Sequence, residues 1–278
     1  MKKSQDISIF IKKIRSLNIR DSEIWINEAL FGFNHIKEFC KKLERNNNVL
    51  EIGSGSGILL NLLSDNFKDL NFEGIEPFGE GFSSLTYLNS LSQQNGISIK
   101  NIGYEELSSN YKYDLIFCIN VFEHLNDWQN FLDKMSFLLK KNGKLIVLCP
   151  NYGFPYESHF RIPVLFNKKI TFFFFKKFIR KFENKNDCLG LWESLNFVKK
   201  RQVLNYLKNS NYAKNLEIND NLSILDFMIN RFINDREFRK RQKTVGKIAV
   251  ALRRLGILKI LKLFPNFIPY MKLEFLRK

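Results

Sequence analysis

Val49-Leu50-Glu51-Ile52 is a short apolar run holding one acid, and glycines occupy every second position just beyond it: Gly53, Gly55 and Gly57. An apolar helical pattern through Phe67 follows at once. Few chain arrangements accept this order. A buried strand must end in a turn too tight for ordinary side chains and then start a helix. The first N–H groups of that helix have no partner within it and face whatever lies beside the glycines. Such a unit buries its faces inside a layered α/β structure.

The stretches that follow repeat the alternation. Residues 71–76, 97–102, 114–119 and 144–149 read as strands, and 80–94 and 127–140 as helices between them. The run at 114–119 is continuously apolar, as a strand buried on both faces requires. Ahead of the first strand, 7–19 and 22–44 read as helices, with Asp21 and Ser22 as caps. Beyond residue 160 a phenylalanine-rich helix is expected, then final strands at 195–198 and 216–218, then helices from 221 onward. The expected fold is α/β: a doubly wound, mostly parallel seven-stranded sheet with N-terminal helices and a helical C-terminal extension. Three regions are expected: a helical cap (1–45), the core (46–220) and a basic extension (221–278).

The glycine spacing narrows the ligand. A dinucleotide fingerprint G-x-G-x-x-G would place its third glycine where Ile58 stands. Glu51-x-Gly53-x-Gly55-x-Gly57 instead resembles motif I of the class I, Rossmann-like S-adenosylmethionine-dependent methyltransferases. The resemblance continues through Glu76 at the end of the second strand, the turn from Tyr104 to Leu107, and Tyr113-Asp114-Leu115-Ile116. It covers about residues 46–160. It implies S-adenosyl-L-methionine as cofactor and S-adenosyl-L-homocysteine as product. Glu51 would hold the methionine ammonium, with Gly53, Ser54, Gly55 and Gly57 beside it. Glu76 would meet the ribose and Tyr104 and Glu105 the adenine, with Pro77 and Asn120 also among the cofactor-binding residues. Where the family often has an acid four residues before Leu107, this chain has Gly103.

Methylating a hydroxyl requires aligning donor and acceptor and taking the acceptor's proton. His124 and Glu123 follow the fourth strand, and His159 follows the fifth in a loop rich in proline, glycine and aromatics. These three are the candidate catalytic residues. His124 either takes the proton or fixes its loop through backbone hydrogen bonds, and the sequence leaves both readings open. His35, on an N-terminal helix, reads as structural. Magnesium-dependent relatives that methylate ubiquinone precursors or small-RNA 3′ ends carry a further carboxylate three residues before the Glu-His pair. Asn120 stands there, so no metal is expected.

The stretches from Pro150 to Pro163 and from Leu191 to Phe197 resemble bacterial enzymes of surface-polysaccharide biosynthesis. That resemblance implies an O-methyltransferase for a sugar, a nucleotide-sugar or a phosphate-bearing small molecule of capsule or lipopolysaccharide synthesis. Trp192 would then stack on a sugar face, with Glu193 and Asn196 on its hydroxyls, unless Trp192 and Phe197 are core. A net charge of +16 favours acidic partners. Alternatives are an RNA methyltransferase, supported by the basic residues from Arg236 onward, and a methyltransferase of a quinone-like small molecule. With no recognisable RNA-binding module, nucleic acid is not the expected partner. The segments 170–181 and 248–267 mix aromatic and basic residues, which suits peripheral contact with an anionic membrane as well as a covering helix pair. Four scattered cysteines without a C-x-x-C pair, and no apolar run of membrane-spanning length, point to a cytoplasmic protein. Oligomeric state is not legible.

Overall fold

Val49 and Leu50 are fully buried and Glu51 nearly so, which makes β1 (Asn48–Ile52) an interior strand. The structure is a computed structural model. It describes residues 8–278 except Arg20, 79–84, 221–222, 236–237, 239–250, 253, 257–259 and 261. β1 pairs in parallel with β2 (Asn71–Ile75), and β2 with β3 (Ser98–Lys100). With β4 (Tyr113–Ile119), β5 (Leu139–Pro150), β8 (Leu216–Asp220) and β9 (Tyr270–Arg277) they form one seven-stranded sheet of order β3-β2-β1-β4-β5-β9-β8. The expected mostly parallel α/β sheet is present.

The chain divides into two units, residues up to Phe117 with 138–143, and residues 118–137 with 144–278. In the first, α1 (Ile9–Ser16) and α2 (Ser22–Cys40) precede β1. α2 buries Ile26, Ala29, Phe33, Ile36 and Cys40, a spacing that lines one helix face, and it packs on α3 (Ile58–Asn66). α2 ends at Cys40 rather than at 44, and Asp21 sits in left-handed backbone with no side-chain cap bond. α4 (Thr86–Gln94) occupies the described part of the helix expected at 80–94.

In the second unit, α5 (Trp128–Leu138) is followed, beyond β5, by a small hairpin of β6 (Tyr156–Glu157) and β7 (Ile162–Pro163). Then come α6 (Lys168–Asn186), α7 (Leu191–Ser194), α8 (Lys200–Asn209) and α9 (Ser223–Asn234). β9 pairs antiparallel with β5, from Lys144 opposite Leu276 to Pro150 opposite Tyr270, and antiparallel with β8 on its other edge.

Two expectations are corrected here. Residues 195–198 are not a strand. The Asn196 side chain donates to the backbone oxygens of Phe122 (2.8 Å) and Leu125 (3.0 Å) and accepts from Val198 N (2.9 Å), and Phe197 has φ +57°. Side-chain bonds of this kind compete with a strand ladder. The tail expected as helices ends on β9, whose Met271, Leu273 and Phe275 alternate with Lys272 and Glu274. The charged pair disguised the period of two; the two groups lie 3.0 Å apart and are themselves largely buried. The basic residues Arg236, Arg239, Lys240, Arg241, Lys243, Lys247, Arg253 and Lys259, and part of segment 248–267, lie outside the described residues.

Candidate active site

The first unit holds the expected cofactor residues except Asn120, which lies in the second. Gly53, Gly55 and Gly57 all have positive φ (71°, 48° and 71°), a backbone that side chains disfavour. At Gly57 a Cβ would also fall 2.6 Å from Ser92 Cβ and 2.7 Å from Ile99 Cδ1, so the turn closes onto α4 and β3 only without one. Gly53 N and Ser54 N both donate to Ile75 O, which locks the turn onto β2. Asn89 Nδ2 donates to Gly55 O and Ser92 Oγ to Ser56 O, each at 2.8 Å, holding the same turn from α4.

Two buried acids flank these glycines. Glu76 Oε2 accepts from Gly55 N (2.8 Å) and Oε1 from Phe78 N (3.0 Å). Burial pushes its pKa up, and the two backbone bonds oppose that shift. Each oxygen keeps a lone pair for a further donor, as a diol requires. Glu51 is different: its Oε2 is buried and has no hydrogen-bond partner. Burial, and then the charge of Glu76, drive its pKa well up. A buried acid left this way is stabilised by a cation, and an ammonium is the group that fits it. Tyr104 is buried on a short 3-10 turn and Glu105 is exposed beside it. Gly103 N donates to Glu106 Oε1 (2.9 Å), so the glycine in place of the family's acid leaves the capping of this turn to Glu106. Pro77 is exposed at the end of β2.

The second unit assembles the three catalytic candidates. Their ligand-bearing atoms all lie within 4.8 Å of one another. His124 Nδ1 lies 2.8 Å from Ser194 Oγ, whose own proton goes to Leu191 O at 2.8 Å. The hydroxyl therefore accepts from Nδ1–H, and Nε2 carries the imidazole lone pair. Burial, then His159, then Lys168 depress the His124 pKa well below its ordinary value, so the ring is neutral at neutral pH. His159 is held by Glu157, Nδ1 to Oε1 at 2.6 Å, and the two histidine rings meet edge to face at 5.4 Å. Glu157 is fully buried, which by itself raises its pKa. Bonds from His159, from Phe160 N (2.6 Å) and from His159 N (3.1 Å) outweigh burial and leave it below the ordinary value. Tyr152 Oη donates to the same carboxylate at 3.2 Å. Glu123 is fully buried with neither oxygen hydrogen-bonded, 4.0 Å from His124 Nε2. Burial pushes its pKa up to about 7; His159 pulls it down and Glu157 pushes it up.

This cluster offers one carboxylate and two imidazoles. It can take a proton at neutral pH, and the same three side chains are a donor set that a divalent transition metal accepts. Asn120 sits at φ +56° just after β4, its N–H on Leu148 O and its Oδ1 accepting from Tyr270 Oη (2.6 Å). Sequence reasoning missed the supporting roles of Glu157, Tyr152 and Ser194. Glu157 ends β6 and His159 stands two residues on in the turn that follows, where the carboxylate accepts from both its backbone N–H and its ring. Nothing local signals Ser194, which comes from 70 residues away. The sugar-stacking role of Trp192 is corrected: it is 2% exposed, packed against Phe160, Phe172 and Phe197, and is a core residue. Asn196 is likewise occupied by backbone. His35 is buried in α2 against Phe31, as expected of a structural residue.

The first unit thus sets a glycine turn beside two buried acids, and the second sets a neutral histidine beside a buried glutamate. The methyltransferase domain family matches residues 28–213, two thirds of the chain. The chain belongs to that family. It is 29% identical over 231 residues to an uncharacterized protein of Mycobacterium tuberculosis, covering 81% of this chain and 77% of that one. It is 28% identical over 105 residues to the ubiquinone biosynthesis O-methyltransferase of Rickettsia canadensis, covering 37% of this chain and 42% of the relative. The chain therefore matches less than half of that enzyme's length. Its fold is similar to the O-methyltransferase of a Brevibacillus brevis trans-AT polyketide synthase multienzyme, solved with S-adenosyl-L-homocysteine. The TM-score is 0.51 at 14% identity, over 98% of this chain and 80% of that one.

Proposed function

We propose that this protein is an S-adenosylmethionine-dependent O-methyltransferase of a small-molecule hydroxyl. The observation that carries the reading is the pair of buried acids at the glycine turn. Glu51 has an oxygen that only an incoming donor can satisfy, and Glu76 is held by Gly55 and Phe78 with lone pairs left over. S-adenosylmethionine presents an ammonium and a ribose diol, and the Brevibacillus enzyme of the same fold was solved with the demethylated product. Bound, it supplies a sulfonium methyl whose sulfur leaves as a neutral thioether.

His124 is the proton acceptor on the other reactant. Its tautomer is set by Ser194, and its depressed pKa keeps the lone pair available at neutral pH. Glu123 stabilises the imidazolium once it forms, because a second charge relieves its own uncompensated burial. His159, clamped by Glu157 and Tyr152, lines the cluster and orients an acceptor oxygen.

For the acceptor we propose a saccharide or phosphate-bearing molecule. The surface-polysaccharide resemblance of residues 150–163 and the net charge of +16 support it. The match to a ubiquinone O-methyltransferase favours a quinone-like phenol as the second reading. All four cysteines are free thiols and fit a reducing compartment, so we place the enzyme in the cytoplasm. The test is label transfer from S-adenosylmethionine to a panel of nucleotide-sugars, sugar phosphates, catechols and small RNAs, read by mass spectrometry. Transfer to a sugar or phosphate ester supports the first reading, and transfer to a catechol alone supports the second. Transfer to RNA alone rejects both, and absence of cofactor binding in calorimetry rejects the class.

A further inference from the structure

α6 shows the wrong face to water. Ile170, Phe173, Phe174 and Phe178 recur at the spacing of one helical stripe, and all four are exposed, Phe173 by 78% and Phe174 by 67%. Phe166, just before the helix, is 88% exposed and sits at φ +60°, an uncommon backbone for a bulky side chain. The opposite face is anchored. Thr171 and Ile179 are fully buried, Phe182 packs on Phe160, and Glu183 accepts from Trp192 N at 2.8 Å. The aromatic stripe therefore cannot be turned inward by rolling the helix.

Its charges are one-sided. Lys177 and Lys181 continue the aromatic stripe, and Lys169, Lys176 and Arg180 run along one flank, all exposed. Glu183, the helix's one acid, is buried on the anchored face. A ridge of large rings among five cations is complementary to a surface that is apolar below and anionic above. A second copy of the chain would set these cations against themselves.

We propose that this face of α6 docks the protein on an anionic lipid bilayer, with Phe166, Phe173, Phe174 and Phe178 below the headgroups and the lysines and Arg180 on lipid phosphates. A convex ridge needs no matching groove on a fluid surface. Aromatic insertion and cationic attraction add, which gives the contact a double dependence on lipid charge and on the rings.

The experiment is flotation of the full chain with vesicles of phosphatidylcholine alone and of phosphatidylcholine with phosphatidylglycerol in equal parts. Flotation with the anionic vesicles is expected, at least about tenfold weaker on the neutral ones. F173S/F174S and K176E/K177E should each weaken it at least about tenfold, while melting temperature and S-adenosylmethionine binding stay as in the parent. Failure to bind anionic vesicles overturns the proposal. So does binding that survives F173S/F174S, which would make the contact one of charge alone. A dimer in light scattering that F173S/F174S dissociates, with no vesicle binding by the parent, assigns the face to a second copy instead.

Discussion

Replacing Glu123 by Gln should change how stability depends on pH, by an amount its surroundings set. The carboxyl is fully buried, neither oxygen has a hydrogen-bond donor, and its pKa is pushed up to about 7 from an ordinary 4.5. Between those values the folded protein binds a proton that the unfolded chain has lost. Stability therefore falls as pH rises through this window. The swing is about 3 kcal/mol, roughly 2.5 units at 1.36 kcal/mol each. His124 acts with the opposite sign. Its folded pKa is depressed, so the unfolded chain binds more protons below the ordinary histidine value and stability is gained as pH rises. The two effects partly cancel in the parent curve, and the difference between parent and Glu123→Gln isolates the carboxyl. Urea unfolding from about pH 5 to about pH 8, with chelator present, measures it. The variant's advantage should be small at the acid end and grow to about 3 kcal/mol at the alkaline end. Parallel curves would refute the reasoning, because they would mean that Glu123 finds a partner or water in solution.

Other outcomes follow from the same geometry. Glu51→Gln should weaken S-adenosylmethionine binding by about 2 kcal/mol, the scale of a charged hydrogen bond. Calorimetry should show parent affinity rising with pH as Glu51 ionises and variant affinity flat. His124→Ala should lower kcat by about 10²–10⁴-fold with cofactor affinity unchanged, and the acid limb of the parent's pH–rate profile should lie below the ordinary histidine value. Unchanged turnover after exhaustive chelation is the outcome expected if Glu123, His124 and His159 act as protein groups; loss restored by a transition metal would reassign them as ligands. Trp192→Ala should cost about 3–5 kcal/mol of stability, read by denaturant unfolding, as removal of a buried indole does.

The sheet's first half was legible because its signals are local. Val49 to Gly57 carries strand and turn in nine positions, the helix starts at Ile58, and Glu76 follows at the next strand end. The cofactor candidates in the first unit accordingly lie at the turn and strand ends assigned to them. The second unit is built from distant pieces. Ser194 reaches His124, and Asn196 closes the loop after β4, across separations no periodicity reveals. β9 was hidden because Lys272 and Glu274, the residues that mark its alternation, look like a solvated helical face. Their pairing within the strand is a property of the folded sheet alone. Trp192 could be read as a stacking platform or as core, and only its neighbours decide.

β9 lies between β5 and β8, yet it comes about 120 residues after β5 and about 50 after β8. At roughly 5–20 residues per second of synthesis, β5 waits on the order of 6–24 s for its antiparallel partner. During that interval the apolar edge from Leu145 to Cys149 is an open template for pairing with another chain. Slow translation lengthens the exposure, and chaperone supply or low expression temperature shortens its consequences. The soluble yield of this enzyme should therefore depend more on what happens on the ribosome than on the stability of the finished sheet.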